Sequence, residues 1–275
     1  MGRPQNILIT GVPRSGTTLL TTLLHAVPNC VALSEPPQLR SIKHGLASPS
    51  DYARRLVELI KDLRREVSEG RPMPIRRDKT TRTVASNYWR RVAVGTEQRM
   101  EATFEVRHEA WAVETADFTL CIKNCGQFTS CLEALTAIPG VVPIAVIRHP
   151  VPCLLSWRSL SLPVSNGRLK FGEQFHPELR RIKKIEDALL RQVRLLDWYF
   201  EAYHRHRERL HIIRYEDLVQ SPDLLRRHVD IPADHTLPEL QSMNQRPEYD
   251  WNEAAMIREY LRLHGRHVQH FYPPE

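Results

Sequence analysis

No apolar run in this sequence approaches the roughly 20 residues that a membrane-crossing helix needs, so an integral helical membrane protein is not expected. The opening residues, Met1 to Thr10, lack the charged region, long apolar stretch and cleavage site of a secretory leader, and none is expected. Gly2 follows Met1, but Asn6 stands where a myristoylation pattern needs serine or threonine. Cysteine is scarce: the 5 present (Cys30, Cys121, Cys125, Cys131, Cys153) are odd in number and form no C-x-x-C pair. Buried free thiols in a reducing cytoplasm are the expectation. The spacings of Cys121, Cys125 and Cys131 fit no zinc pattern, so no metal is expected. Internal repeats, low-complexity tracts and a recognisable linker are also absent, and the 275 residues read as one domain with a well-buried core.

What is present is a globular composition, 41% hydrophobic and 26% charged, with a formal net charge of +7. That excess suits an anionic ligand, a nucleic acid or an acidic membrane, and by itself selects none of them. The basic residues dot amphipathic stretches such as Asp51 to Glu69 and Pro177 to Arg209, as on solvated helix faces, so nucleic acid is not expected as a partner.

Apolar runs bounded by turn residues predict strands at Asn6–Thr10, Phe118–Ile122, Val141–Ile147 and His211–Arg214. Helical periodicity predicts helices over Thr17–Ala26, Asp51–Glu69, Val84–Ala93, Ala102–Val113, Phe128–Ile138, Val151–Leu160, Pro177–Arg209, Pro222–His228 and Asn252–Leu263. Pro-containing Arg71–Arg77 reads as a loop, and so does Leu162–His176. Strands separated by helices imply right-handed crossovers and a three-layer α/β fold of P-loop type, a central parallel sheet flanked by helices. The domain runs over 1–275, with a helical cap inserted at about 34–113.

The strongest local signal is Gly11-Val-Pro-Arg-Ser-Gly-Thr-Thr18, between a strand and a helix. Its glycines have the spacing of a phosphate-binding loop, and the free N–H groups opening the helix suit an anion. Thr17, however, stands where a nucleotide triphosphatase has its lysine, and the cation sits inside the loop as Arg14. A ligand with a single phosphate at this spot needs neither that lysine nor Mg²⁺. Arg148 follows the apolar strand Val141–Ile147, with Ser156 two helical turns on. Phosphate binding and helix capping both fit that pair when it is taken alone. Tyr215 ends the last strand, as a ligand contact or as a core tyrosine.

The segment PRSGTT resembles the 5′-phosphosulfate loop of sulfotransferases that use 3′-phosphoadenosine-5′-phosphosulfate (PAPS). The longer GVPRSGTTLL is most similar to the tyrosylprotein and bacterial group, whose loops carry Arg where cytosolic members carry Lys. The resemblance implies that Arg14, Ser15, Gly16, Thr17 and Thr18 hold the 5′-phosphosulfate. Arg148-His-Pro followed by Ser156 resembles the 3′-phosphate site, with His149 in place of the usual Asp or Asn. Tyr215-Glu-Asp-Leu218 resembles the family's late strand-end element, which places Tyr215 at the adenine or ribose.

The same resemblance assigns the chemistry. Glu35, flanked by Ser34, Pro36 and Pro37, lies as far after the loop arginine as the family's catalytic glutamate and is the expected base. His108, His25 and His44 are the alternatives, since cytosolic enzymes use histidine. Lys123 stands at the K-[DN]-P element, here Lys-Asn-Cys, and is expected to stabilise charge on the transferring group, together with Arg14. A late loop, Ser242 to Arg246, is a candidate to close over the nucleotide.

A cytoplasmic PAPS-dependent sulfotransferase is thus implied, acting on a hydroxyl of a small molecule, natural product, lipid or saccharide. A P-loop kinase-like enzyme is the alternative, and it predicts a loop lysine that the sequence lacks.

Overall fold

The computed structural model describes residues 5–84, 89–94 and 97–273. The expectations at Met1 and Gly2 lie outside these residues, as does part of the helix expected at Val84–Ala93. Strand β1 (Asn6–Gly11) runs into the glycine-bounded loop and then helix α1 (Thr17–His25). A further strand, β2 (Cys30–Ser34), follows. It was not anticipated, because five buried residues after a proline and an asparagine carry no alternation to read. The crossover from it is α2 (Pro49–Ser68), capped by the Ser48 hydroxyl accepting from the Asp51 N–H at 3.2 Å. Its buried residues Tyr52, Leu56, Ile60, Leu63 and Val67 recur every three or four positions, as an amphipathic helix requires.

The segment that follows departs from expectation. Arg71–Arg77 is not a loop: β3 (Met73–Asp78) alternates buried and part-buried residues, and Pro74 misleads because it sits in a two-stranded ribbon. The helices expected at Val84–Ala93 and Ala102–Val113 are replaced by strands β4 (Trp89–Val94), β5 (Glu97–Ala102) and β6 (Phe104–Glu109). β3 pairs antiparallel with β6, and β4 with β5. In β6 every residue is part-buried or exposed, so no buried face imposes a two-residue hydrophobic period there. The insertion over 34–113 is therefore part helix and part hairpin rather than a helical cap.

The chain returns to the main sheet at β7 (Thr119–Lys123), followed by α3 (Cys125–Ser130) and α4 (Leu132–Leu135). Next come β8 (Val141–Ile147) and α5 (Pro150–Arg158). The single long helix expected over Pro177–Arg209 is two, α6 (Pro177–Ile182) and α7 (Ala188–Arg205), because Asp187 caps the second by accepting the Leu190 N–H at 2.9 Å. β9 (His211–Arg214), α8 (Tyr215–Gln220) and α9 (Ala254–His264) complete the regular elements, with Pro222–Arg227 a 3₁₀ turn instead of a helix.

The main sheet is five-stranded and wholly parallel, in the order β2-β7-β1-β8-β9. Alternate residues of each strand serve opposite faces. Ile7, Ile9, Ile144 and Val146 pack with Leu20, Leu23 and Leu24 of α1 and Leu218 of α8. Leu8, Leu33, Leu120 and Ile122 pack with Tyr52, Leu56 and Ile60 of α2. Ala145 and Ile147 meet α5, α7 and α9. This is the expected α/β architecture, a parallel sheet with helices on both faces. Burying each such leucine or isoleucine contributes about 1.5–3 kcal/mol, which holds the strand ends in register. All five cysteines are buried and unpaired as disulfides, with the Cys30 and Cys121 sulfurs 3.7 Å apart. Among the described residues, no helix is long and apolar enough to cross a membrane.

Candidate active site

Every strand of the parallel sheet delivers a candidate residue at its carboxyl end, where open α/β sheets bind ligands. β1 leads to the loop with Arg14, β2 to Glu35, β7 ends in Lys123, β8 precedes Arg148, and β9 precedes Tyr215. The parallel register places Ser34 beside Lys123, and β1 lies between β7 and β8.

The loop is shaped by its glycines. Gly11 has φ 153° and a Cβ there would lie 2.3 Å from the Val146 carbonyl oxygen. Gly16 has φ 95°, and a Cβ would lie 2.7 Å from the Tyr215 ring. Gly16 caps α1 with no side-chain acceptor, leaving the first-turn N–H groups directed at a ligand site. The hydroxyls are turned inward instead. Ser15 Oγ donates to the Val146 carbonyl at 2.7 Å, and Thr17 Oγ1 lies 3.3 Å from Cys125 Sγ. Thr18 is part-buried in the same turn. Arg14 holds a left-handed backbone, φ 72°, and its Nε donates to Ser156 Oγ at 3.0 Å, which joins the loop to α5. Burial lowers the Arg14 pKa, and Arg246 and Arg148 add to that effect.

Glu35 and Lys123 form one unit. Lys123 Nζ donates to Glu35 Oε1 at 2.7 Å, and the Glu35 N–H donates to the Lys123 carbonyl at 2.9 Å. Glu35 also has a positive φ, 45°. Its second oxygen, Oε2, accepts from Arg76 Nη1 at 3.3 Å. Burial alone would raise the Glu35 pKa; the Lys123 ammonium and then the Arg76 guanidinium outweigh it and hold the carboxyl below its ordinary value. Cys125, where the family motif has proline, lies between this pair and the loop. Burial pushes its thiol up, while Lys123, the Thr17 hydroxyl and Arg14 pull it down.

The histidines go elsewhere. His44 and His108 are exposed, and His25 Nε2 faces Arg77 Nη1 at 3.2 Å with its ring edge-on to Trp111. Burial and the Arg77 charge lower its pKa to about 4.

Arg148 is 5% exposed and its donors are all directed inward. Nη1 donates to the Arg14 carbonyl at 3.1 Å, Nε to Asn244 Oδ1 at 2.7 Å, and Nη2 to the Met243 carbonyl. The guanidinium also lies 4.8 Å from the Tyr215 ring centroid. The Ser242–Arg246 segment thus crosses the Arg148 end of the site as a strap. The Met243 N–H donates to Tyr215 Oη at 2.7 Å, and Asn244 Nδ2 donates to Glu216 Oε1 at 3.0 Å. Glu216 further accepts from the His149 N–H at 2.9 Å and from Tyr272 Oη at 2.8 Å. These partners hold Glu216 below the ordinary carboxylate range although burial opposes them. Further along α5, Arg158 is occupied by Glu253 at 2.6 Å and Gln192 at 3.1 Å.

The structure therefore brings Arg14, Ser156 and Arg148 together at one end, and Glu35 and Lys123 at the other, with Gly16 and Thr17 between. The sequence reading missed Arg76, Glu216 and Tyr272, and it named Asn244 only as part of the Ser242–Arg246 loop. Arg76 had a local signal in the alternation of Met73, Ile75 and Arg77, and Glu216 stood inside the recognised Tyr-Glu-Asp-Leu element. The donor set, Arg14 and Arg148 beside the uncapped first turn of α1, is cationic and amide-rich, which fits a ligand carrying two separated phosphoryl-type anions.

A family model described as the sulfotransferase family matches residues 4–229. A search of curated proteins finds no match. Among solved structures, the sulfotransferase domain from the curacin biosynthetic pathway is 17% identical with a TM-score of 0.44, covering 90% of this chain and 81% of its own. Sulfotransferase STF1 from Mycobacterium tuberculosis H37Rv is 16% identical with a TM-score of 0.40, covering 94% and 76%. Sulfotransferase STF9 from Mycobacterium avium is 12% identical with a TM-score of 0.41, covering 100% and 78%.

Proposed function

Because this chain belongs to the sulfotransferase family, we propose that it moves a sulfuryl group from PAPS to the hydroxyl of a small-molecule, natural-product, lipid or saccharide acceptor in the cytoplasm, as one domain and without a metal. The observation that carries this reading is the Glu35–Lys123 pair, fixed at adjacent strand ends next to the loop that bears Arg14. PAPS supplies an activated sulfuryl group on a phosphate leaving group. The first-turn N–H groups from Gly16 to Thr18 and the Arg14 guanidinium would hold its 5′ end, and Arg148 and Ser156 its 3′-phosphate. Ser15 contributes through loop shape, since its hydroxyl is committed to Val146. Tyr215 lines the nucleoside side.

Glu35 accepts the acceptor's proton as its oxygen attacks. Lys123 stabilises charge on the bridging and sulfuryl oxygens from a 4% exposed position, where its charge is little screened. Binding of the 3′-phosphate exchanges the Asn244 and Met243 oxygens on Arg148 for phosphate oxygens.

Calorimetry tests this with 3′,5′-adenosine bisphosphate beside Mg·ATP. Tight metal-independent binding of the bisphosphate is expected, weakened on the order of 100-fold in Arg148→Ala. Glu35→Gln should keep that binding yet lose about 10²–10⁴-fold in turnover in an acceptor screen. A preference for Mg·ATP would overturn the reading and favour a kinase-like enzyme.

A further inference from the structure

Strand β3 carries two adjacent arginines, and the two-residue period of a strand sends them to opposite sides. Arg77 goes to the buried side and anchors the hairpin. Its Nη2 donates to Glu109 Oε2 at 2.8 Å and its Nε to the same oxygen at 3.0 Å. Its Nη1 meets His25 at the end of α1, and its guanidinium lies 5.3 Å from the Trp111 ring centroid. With that neighbour pinned, Arg76 has little freedom. Its side chain is 11% exposed, its guanidinium sits 4.6 Å from the Phe104 ring centroid on the paired strand, and its Nη1 reaches Glu35 Oε2.

We propose that Arg76 is a positioning residue for Glu35, holding Oε2 from the inserted hairpin while Lys123 holds Oε1 from the sheet. The proposal rests on the reading of Glu35 as the base. A carboxylate tied by one oxygen still turns about its last torsion, whereas one tied at both oxygens has its plane fixed. The two ties are unequal, 2.7 Å to Lys123 and 3.3 Å to Arg76. The longer one yields more easily, so Oε2 is the oxygen an acceptor hydroxyl takes up. Lys123 keeps Oε1, and the guanidinium stays beside the incoming oxygen. The hairpin thereby sets the direction from which the acceptor is met. An exposed ion pair would do little of this. Here Lys123 and Arg76 are largely shielded, and Glu35 retains only 29% side-chain exposure, the opening that an acceptor needs.

The charged or titratable groups that act on Glu35 most strongly are Lys123 from β7 and Arg76 from β3, and the Cys125 thiol at the start of α3 also faces it. Removing the Arg76 charge must therefore make Glu35 easier to protonate. The test is a ¹³C NMR titration of the full chain labelled at glutamate Cδ, with the Glu35 signal assigned from Glu35→Gln. In Arg76→Gln the Glu35 midpoint should rise. Arg76→Lys keeps the charge but replaces a planar fork by a point donor, and a smaller rise is expected there. Thermal unfolding establishes that each variant is folded. An unmoved midpoint in both folded variants overturns Arg76 as the positioning partner, because a purely structural role changes the melting temperature and not the midpoint. The underlying reading fails separately: retained turnover in Glu35→Gln overturns Glu35 as the base.

Discussion

Gly16 links the two anion-binding features of the site, because its missing side chain leaves room for the Tyr215 ring and its φ of 95° turns the loop into α1. An alanine there would meet both obstacles, a left-handed backbone and a ring atom at 2.7 Å that is held by the bond from Met243. Gly16→Ala should therefore cost about 1–3 kcal/mol in a denaturant titration and also weaken bisphosphate binding in calorimetry. An alanine at Gly45, where a Cβ meets nothing within 4 Å, gives the control for backbone strain without a clash. At this scale the sequence was most legible where a short motif of fixed order accompanies a readable strand, as at Arg14, Lys123, Arg148 and Tyr215, whereas Glu35 was singled out only through the family resemblance. Their partners were not legible. Asn244 reaches Arg148 across 96 positions and Arg76 reaches Glu35 across 41, and no local period encodes a contact between two separately folded segments.

Between elements, the weakest fastening at the site is the strap over Arg148. It has no regular secondary structure from Ser242 to Arg246 and depends on side-chain bonds to Arg148, Tyr215 and Glu216. Asn244→Ala removes two of these at once, one to the Arg148 guanidinium and one to Glu216. Exchange of the Met243 amide should then quicken by about tenfold, with little change in global stability, as read by hydrogen-exchange mass spectrometry. The elements themselves were unevenly legible. The strands with long apolar runs and the helices with a clear stripe, such as α2, were readable because burial on a face imposes a period. In the ribbon β3/β6, β3 was misread through Pro74 despite its alternation, and β6 because its part-buried and exposed residues present no buried face. β2 is buried at all five positions and shows no alternation, so the strand that delivers Glu35 looked like loop.

For the molecule as a whole, the join between the hairpin and the α1 side of the sheet sets its response to acid. His25 is neutral in the fold, with a pKa lowered to about 4 by burial and the Arg77 charge. The unfolded chain binds its proton near the ordinary value of about 6.5. Between those two values the unfolded state holds more protons, so stability is full above about 6.5, falls as the pH drops, and loses no more from this group below about 4. Glu35 and Glu216, both held below their ordinary values, add a further loss at lower pH. The unfolding free energy from urea titrations should decline by on the order of 1–2 kcal/mol from pH 7 to 4.5 once solvent screening is allowed for, and His25→Gln should flatten most of that slope. The left-handed backbone at both Arg14 and Glu35 has another consequence. Glycine would sit in either conformation more comfortably, by about 1 kcal/mol or more. Glycine at either position would nonetheless strip a shielded contact, the Ser156 bond of Arg14 or the Lys123 and Arg76 bonds of Glu35. Leaving Lys123 buried without its carboxylate outweighs the backbone relief, so selection for heat tolerance alone would still keep a charged side chain on these turns.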